Sequence, residues 1–236
     1  MKKHFINNPV FLKIKPRFNW RTFKTEKYVK QVFINERVVE TPFVISRLGR
    51  LPKGSAVLDL GCTESVLPLY LAALGYEVTG TDFRVYPYEV PHFTFRQADI
   101  MKLPFPDESF DAVTCISTLE HIGIGHYADP RHEGWGDLKA IEEAARVLRR
   151  GGRFLLSVPF GCPREDSFQR VYDGARLDRL LAGFKVDEAV YYVNCPAAPG
   201  ALNNAWAEVD RATAAKSISE ERTNGVCIIS ASRGLS

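Results

Sequence analysis

Long apolar runs are missing from this chain of 236 residues, so none of its segments is predicted to cross a membrane. Asn7, Asn8 and Pro9 interrupt the N-terminus where a signal peptide would be apolar, and we therefore expect no signal peptide. The net formal charge is only +3, without the strong basic excess typical of nucleic-acid-binding proteins. These absences predict a cytoplasmic protein and disfavour membrane and nucleic-acid partners.

Cysteine is also scarce, with five residues that form no C-x-x-C pair. An odd, scattered set predicts neither a disulfide framework nor a zinc site, and it is typical of a reducing compartment. Cys115 and Cys227 lie in apolar runs and are predicted to be buried thiols. The G-x-G-x-x-G fingerprint of dinucleotide-binding enzymes is absent as well, which argues against a nicotinamide cofactor.

Basic residues concentrate at the N-terminus, where residues 1–30 contain nine Lys and Arg against a single acid. Two interpretations stay open. The segment is either an arm that covers a site or binds a phosphate-bearing substrate, or a solvated flank whose aromatic residues pack on the body. Residues 28–51 have apolar positions near helical spacing, and Pro42 is predicted to divide them into two helices. We therefore predict a basic arm with helices over residues 1–50 and one domain over residues 51–236.

A strand, a tight turn and a helix are predicted in succession near residue 60. The apolar run Ala56–Leu60 ends at Gly61, as a buried parallel strand would. The helix predicted over residues 64–74 ends at Gly75, a common C-cap residue. Such a unit points free backbone N–H groups at a ligand above the sheet, which indicates a binding site.

Three further strands are each followed by polar or acidic residues. They are predicted at 77–81 before Asp82, at Phe93–Gln97 before Asp99, and at 112–116 before Ser117. The carboxyl ends of parallel strands meet at one edge of a sheet, where ligands bind. Asp82 stands where an acid of a nucleotide-binding sheet accepts hydrogen bonds from both hydroxyls of a ribose.

Residues 57–65 and these strand ends together resemble the motifs of the class I S-adenosylmethionine-dependent methyltransferases, in register over residues 56–161. The resemblance implies an α/β fold with a Rossmann-like, doubly wound, seven-stranded and mostly parallel sheet. Its last strand, residues 225–231, is expected to insert antiparallel between strands five and six. The implied cofactor is S-adenosyl-L-methionine.

The resemblance also implies which residues bind this cofactor. Asp82 would bind the ribose and Asp99 the adenine amino group, although either side chain also suits a turn. The full predicted set is Asp59, Gly61, Cys62, Glu64, Ser65, Asp82, Phe83, Asp99, Ile100, Ser117 and Leu119.

The glycine motif departs from the family pattern Asp/Glu-x-Gly-x-Gly-x-Gly. Only Gly61 remains, and Thr63 and Ser65 occupy the later glycine positions. Glu64 stands near the expected place of the cofactor carboxylate, which it would repel. We therefore expect Glu64 to contact the cofactor's amino group or to turn away.

The run Leu119-Glu120-His121 resembles that of small-molecule methyltransferases. Nucleobase amino-methyltransferases carry an Asn/Asp-Pro-Pro-aromatic run at this place, and its absence argues against adenine or cytosine N-methylation. Where the acceptor is a hydroxyl, a general base assists, and histidine titrates near neutral pH. Our hypothesis is that His121 or His126 is this base.

Residues 123–136 form a polar loop at the predicted active edge, longer than a simple connection needs. Such a loop favours substrate recognition, and the predicted contacts are Glu120, Tyr127, Arg131, His132 and Trp135. A metal site at His126, Asp129, His132 and Glu133 is the alternative. These four lack a recognised ligand spacing, so we predict no metal.

The predicted function is O-methylation of a small-molecule acceptor, for example a sugar or natural-product hydroxyl. One alternative is a methyltransferase-like domain that binds the cofactor or a partner without catalysis. Another is an RNA methyltransferase that uses the basic arm. The sequence leaves the oligomeric state open.

Overall fold

The computed structural model describes residues 34–125, 134–196, 204–219 and 223–234. Its centre is an eight-stranded sheet with the strand order β3-β2-β1-β4-β5-β10-β8-β9, and β6 and β7 form a separate hairpin. The strands are β1 Ala56–Leu60, β2 Glu77–Asp82, β3 Phe93–Gln97, β4 Phe110–Ile116, β5 Leu148–Pro159, β6 Arg164–Glu165, β7 Arg170–Val171, β8 Phe184–Cys195, β9 Ala205–Val209 and β10 Gly225–Arg233.

The sheet has the predicted fold class. Strands β3, β2, β1, β4 and β5 are parallel, and β10 runs antiparallel between β5 and β8. The sheet has one strand more than the seven predicted, because residues 205–209 form an additional strand, β9, at its edge. They pair antiparallel with β8, and Trp206 packs on a cluster that contains Phe43 and Val226. Pairing with β8 and the packing of Trp206 are long-range contacts, which a local sequence pattern does not predict.

The helices are α1 Arg37–Leu48, α2 Leu67–Ala73, α3 Gly136–Val147, α4 Gly174–Leu180 and α5 Arg211–Ala214. Pro42 lies inside α1 and does not divide it, contrary to the prediction. A proline costs the helix a hydrogen bond, but α1 also buries Val44 and Leu48 in one cluster with Val57 and Leu155 of the sheet. Helix α1 therefore packs on the same core as the strands.

Helix α3 ends at Val147, and β5 begins at Leu148. Trp135 holds the N-cap position of α3 and makes no side-chain cap. The buried Asp137 carboxylate accepts hydrogen bonds from the Tyr172 hydroxyl at 3.1 Å and from Arg176 at 3.0 Å. A buried carboxylate is stable only with such partners, so Asp137 joins α3 to α4. Among the described residues, no helix is long and apolar enough to span a bilayer.

Candidate functional site

A cavity of about 210 Å³ opens at the carboxyl ends of the parallel strands. The strand order reverses on the two sides of β1, and open α/β sheets bind ligands at such a switch point. The wall is formed by the turn after β1, the residues after β2 and β4, helix α1 and the β6–β7 hairpin. Its described members are Glu36, Arg37, Gly61, Thr63, Glu64, Asp82, Phe83, Arg84, Ile100, Ser117, Thr118, Glu120, His121, Ile122, Phe168, Gln169 and Thr223.

At Gly61 the cavity wall leaves no room for a side chain. Its φ is +73°, a conformation that other residues seldom adopt. A Cβ atom built on Gly61 would lie 2.2 Å from Cγ2 of Thr118. The turn after β1 and the turn after β4 therefore touch directly, and only glycine fits between them.

Asp82 ends β2 and is 7% exposed. Its carboxylate accepts hydrogen bonds from the backbone N–H of Thr63 at 3.0 Å and of Arg84 at 2.9 Å. A carboxylate has about four lone-pair sites, so these bonds leave capacity for a ligand hydroxyl. Asp82 also fixes the glycine turn through Thr63.

Glu64 lines the cavity, and its contact with the cofactor's amino group stays a prediction. It has a φ of +69° and pairs with Arg84, whose Nη1 lies 3.1 Å from its Oε1. This ion pair with Arg84 offsets part of the negative charge of Glu64.

Several predicted cofactor residues lie outside the cavity wall formed by the described residues. Cys62 and Leu119 are fully buried in apolar clusters, and the Ser65 hydroxyl accepts from the N–H of Leu67 at 3.1 Å. These three side chains therefore support the turns around the cavity. Asp99 accepts from the N–H of Met101 at 2.9 Å, the turn interaction that the sequence left as an alternative.

Asp59 also lies behind the cavity wall and supports it. The carboxyl group accepts a hydrogen bond from the Thr114 hydroxyl at 2.6 Å, between β1 and β4. Burial raises the pKa of Asp59 to about 7. The motif acid is thus part of the buried sheet at the base of the glycine turn.

His121 and Glu120 lie side by side on a short 3-10 turn, Leu119–His121. Nδ1 of His121 is 2.6 Å from the Phe168 carbonyl oxygen, which only accepts, so Nδ1 carries a hydrogen. Nε2 is then the basic nitrogen of the neutral ring, and it lies 3.7 Å from Oε1 of Glu120. This arrangement gives the cavity a histidine of defined tautomer.

Glu120 is 2% exposed, and burial raises its pKa to about 8. Its Oε2 has no hydrogen-bond partner within the described part of the chain. A buried oxygen without a partner is costly, and a ligand that donates a hydrogen bond would relieve that cost. Glu120 therefore suits a ligand with an O–H or N–H group.

Wall residues from distant segments are absent from the predicted site. Glu36 and Arg37 lie within residues 1–50, predicted as an arm with helices, and Phe168 and Gln169 lie between β6 and β7. One signal was available. Glu40 stands among apolar positions at helical spacing in α1, which indicates a buried, partnered acid.

None of the predicted contacts from the polar loop, residues 123–136, belongs to the described cavity wall. His126, Tyr127, Arg131 and His132 lie in residues 126–133, outside the described residues, as do Asp129 and Glu133 of the alternative metal site. Trp135 is 62% exposed and lies away from the wall formed by the described residues. The role of Trp135 in substrate binding stays a prediction.

Comparison with known proteins decides the family. Residues 58–156, which include the glycine turn, Asp82 and His121, match the family model of the methyltransferase domain. This segment is a class I S-adenosylmethionine-dependent methyltransferase domain. The predicted family is thereby confirmed, and the cofactor of the family is S-adenosylmethionine.

Curated relatives of the methyltransferase domain include methyltransferases named for demethylmenaquinone and for demethylrifamycin. A demethylmenaquinone methyltransferase of Mycobacterium sp. (strain KMS) is 35% identical over 125 residues, covering 50% of this chain and 47% of the relative. A 27-O-demethylrifamycin SV methyltransferase of Amycolatopsis mediterranei is 35% identical over 122 residues, covering 46% and 40%. The chain thus spans about half the length of the curated relatives it matches.

Solved structures share the fold of the methyltransferase domain at low identity. The 1,6-didemethyltoxoflavin-N1-methyltransferase of Burkholderia thailandensis, solved with S-adenosylhomocysteine, superposes with a TM-score of 0.58 at 18% identity. The superposition covers 92% of this chain and 83% of that one.

The cavity of the methyltransferase domain has groups that suit the family cofactor. Asp82 offers carboxylate oxygens at the end of β2 for ribose hydroxyls, and Phe83 and Ile100 offer apolar surface for an adenine ring. Two acids of the wall, Asp82 and Glu64, favour a cationic ligand. These residues fit S-adenosylmethionine, which carries a ribose, an adenine and a positive sulfonium.

Proposed function

We propose that the chain transfers a methyl group from S-adenosylmethionine to a hydroxyl of a small-molecule acceptor, with His121 as general base. The single observation that carries this proposal is the hydrogen bond from Nδ1 of His121 to the Phe168 carbonyl, which leaves Nε2 as the basic nitrogen at the cavity. S-adenosylmethionine, when bound, supplies a methyl group already activated for displacement, so the protein has mainly to align the acceptor and exclude water.

His121 removes the proton that the acceptor hydroxyl loses as it attacks the methyl group in line. The proton arrives on Nε2, 3.7 Å from the carboxyl group of Glu120, which stabilises the imidazolium when ionised. The Phe168 ring packs edge-on against the imidazole with ring centroids 5.0 Å apart and restricts its rotation. His126 remains the second candidate base, as predicted.

The charges of the wall favour a neutral acceptor. The two described arginines of the wall are engaged: Arg37 with Glu40, and Arg84 with Glu64 and Asp82. A phosphate or carboxylate would therefore have to compete with Glu40, Glu64 and Asp82 for these two arginines. This charge pattern supports a phenol, quinol or sugar hydroxyl and counts against RNA. The printed name of the 27-O-demethylrifamycin SV methyltransferase, which specifies an oxygen, supports a hydroxyl acceptor.

A labelled methyl-transfer assay tests the proposal. We expect methyl-labelled S-adenosylmethionine to label a hydroxyl of at least one acceptor in a panel of catechols, hydroquinones and hydroxylated sugars. The matched controls are the same compounds with each hydroxyl already methylated, which should remain unlabelled. If no acceptor is labelled while S-adenosylhomocysteine still binds, the alternative of a cofactor-binding domain without catalysis gains support.

A further inference from the structure

One buried acid of helix α1 joins the ends of two strands at the candidate site. The Glu40 side chain is fully buried, and its Oε1 accepts hydrogen bonds from the hydroxyls of Ser117 and Ser157, each at 2.6 Å. Its Oε2 accepts from Nη1 of Arg37 at 3.1 Å. The Ser157 hydroxyl in turn accepts from the backbone N–H of Ser117 at 2.9 Å. Two serine hydroxyls and a guanidinium thus meet on one carboxylate.

Arg37 extends this network to the backbone of β4. Its Nη1 also donates to the Ile116 carbonyl at 3.0 Å, at the last residue of the strand. The side chain of Arg37 reaches the cavity wall as well. Helix α1 is therefore hydrogen-bonded to the end of β4 through both Glu40 and Arg37.

The residue held by this network has an unfavourable backbone. Ser117 has a φ of +42°, in the left-handed region that is unfavourable for a residue with a side chain. Such a conformation persists only where the surroundings impose it. Both the hydroxyl and the N–H of Ser117 are bonded within the network, which accounts for the imposed turn.

The turn at Ser117 sets the position of every proposed functional group after β4. Thr118 comes next and makes the close contact with Gly61, at the cofactor turn. Glu120 and His121 follow on the 3-10 turn. A shift at Ser117 would therefore move the glycine turn and the proposed base together.

We propose that Glu40 is a positioning residue of the methyl-transfer site, and that helix α1 holds the turn after β4 in place at that site. The expected effect of Glu40 on KM rests on the proposed function. The expected effect of Glu40 on cofactor affinity does not depend on that function. A neutral amide cannot replace the carboxylate. If the amide oxygen in Glu40→Gln faced the serines, the amide NH2 would face Arg37, and the reverse orientation would turn the NH2 toward the donor serines.

The test compares Glu40→Gln with Glu188→Gln. Glu188 pairs with Arg47 at 2.5 Å near the other end of α1, away from the described cavity wall, so both variants loosen the same helix. We expect Glu40→Gln to weaken S-adenosylhomocysteine binding by about tenfold to a hundredfold in calorimetric titration, and to raise KM for S-adenosylmethionine similarly. Glu188→Gln should stay within about twofold of wild type in both quantities.

Ser157→Ala provides a milder second variant, because Ser157 lies in β5 and outside the described cavity wall. It should shift the affinity in the same direction as Glu40→Gln. A merely structural role of Glu40 would lower the melting temperature and the active fraction but leave the affinity and KM of the folded protein unchanged. That result, or equal affinities for Glu40→Gln and Glu188→Gln, overturns the inference. An inactive wild type with the expected affinity change would instead count against the proposed function alone.

Discussion

Replacement of Gly61 by alanine should abolish detectable binding of S-adenosylhomocysteine. The added Cβ would lie 2.2 Å from Cγ2 and 2.3 Å from Oγ1 of Thr118, closer than nonbonded atoms approach. Relief requires the turn after β1 or the turn after β4 to move, and both line the cofactor cavity. We expect a loss of affinity of more than about a hundredfold in calorimetric titration, with a lower melting temperature.

Gly54→Ala is the matched control for this prediction. Gly54 has a φ of +79°, close to the +73° of Gly61, but its added Cβ would meet nothing within 4 Å. Backbone strain is therefore similar in both variants, and only Gly61→Ala adds the clash. Equal affinities for the two variants would show that the contact between the two turns does not shape the cofactor site.

His121→Asn should lower kcat by about a hundredfold to ten-thousandfold while cofactor affinity stays near wild type. The asparagine amide nitrogen can take the place of Nδ1 and keep the hydrogen bond to the Phe168 carbonyl. It offers no counterpart of Nε2, so the variant removes the base and retains the local structure. Steady-state kinetics with the best acceptor of the panel, together with titration of S-adenosylhomocysteine, measure the two effects separately.

The pH profile gives a second readout of the same variant. A histidine base acts only when neutral, so kcat/KM of the wild type should rise as the pH is raised from acid and then level off. The rise should be absent from His121→Asn. His92→Asn is the control, since His92 pairs with Glu77 on the surface and away from the described wall. Full turnover by His121→Asn would exclude His121 as the base and leave His126.

The parallel half of the fold was predictable because its signals are local. Each strand from β1 to β4 is a short run with a glycine, an acid or a serine at its end or within two residues of it. Gly61 and Gly75 mark turns because both have a positive φ. The edge strand β9 was missed because pairing with β8 and the contact of Trp206, rather than its composition, make it a strand.

The candidate site was predictable only where it is built from strand ends. Asp82, Ser117 and His121 follow directly from strand positions, whereas Glu36 and Arg37 reach the cavity because α1 docks on the sheet. Sequence alone also leaves side-chain direction undefined. The Oδ1 atom of Asp99 closes a local turn, an interaction that the sequence signal cannot separate from ligand binding, and the role of Asp99 in adenine binding stays a prediction.

The most direct test of the account is calorimetric titration of S-adenosylhomocysteine into the wild type, Asp82→Ala and Glu77→Ala. Glu77 is the matched control, because it is an exposed acid at the opposite end of the same strand, β2. We predict micromolar binding by the wild type and by Glu77→Ala, and a loss of about a hundredfold or more in Asp82→Ala. Absence of binding by folded wild type, or unchanged affinity in Asp82→Ala, would contradict the cofactor site described above.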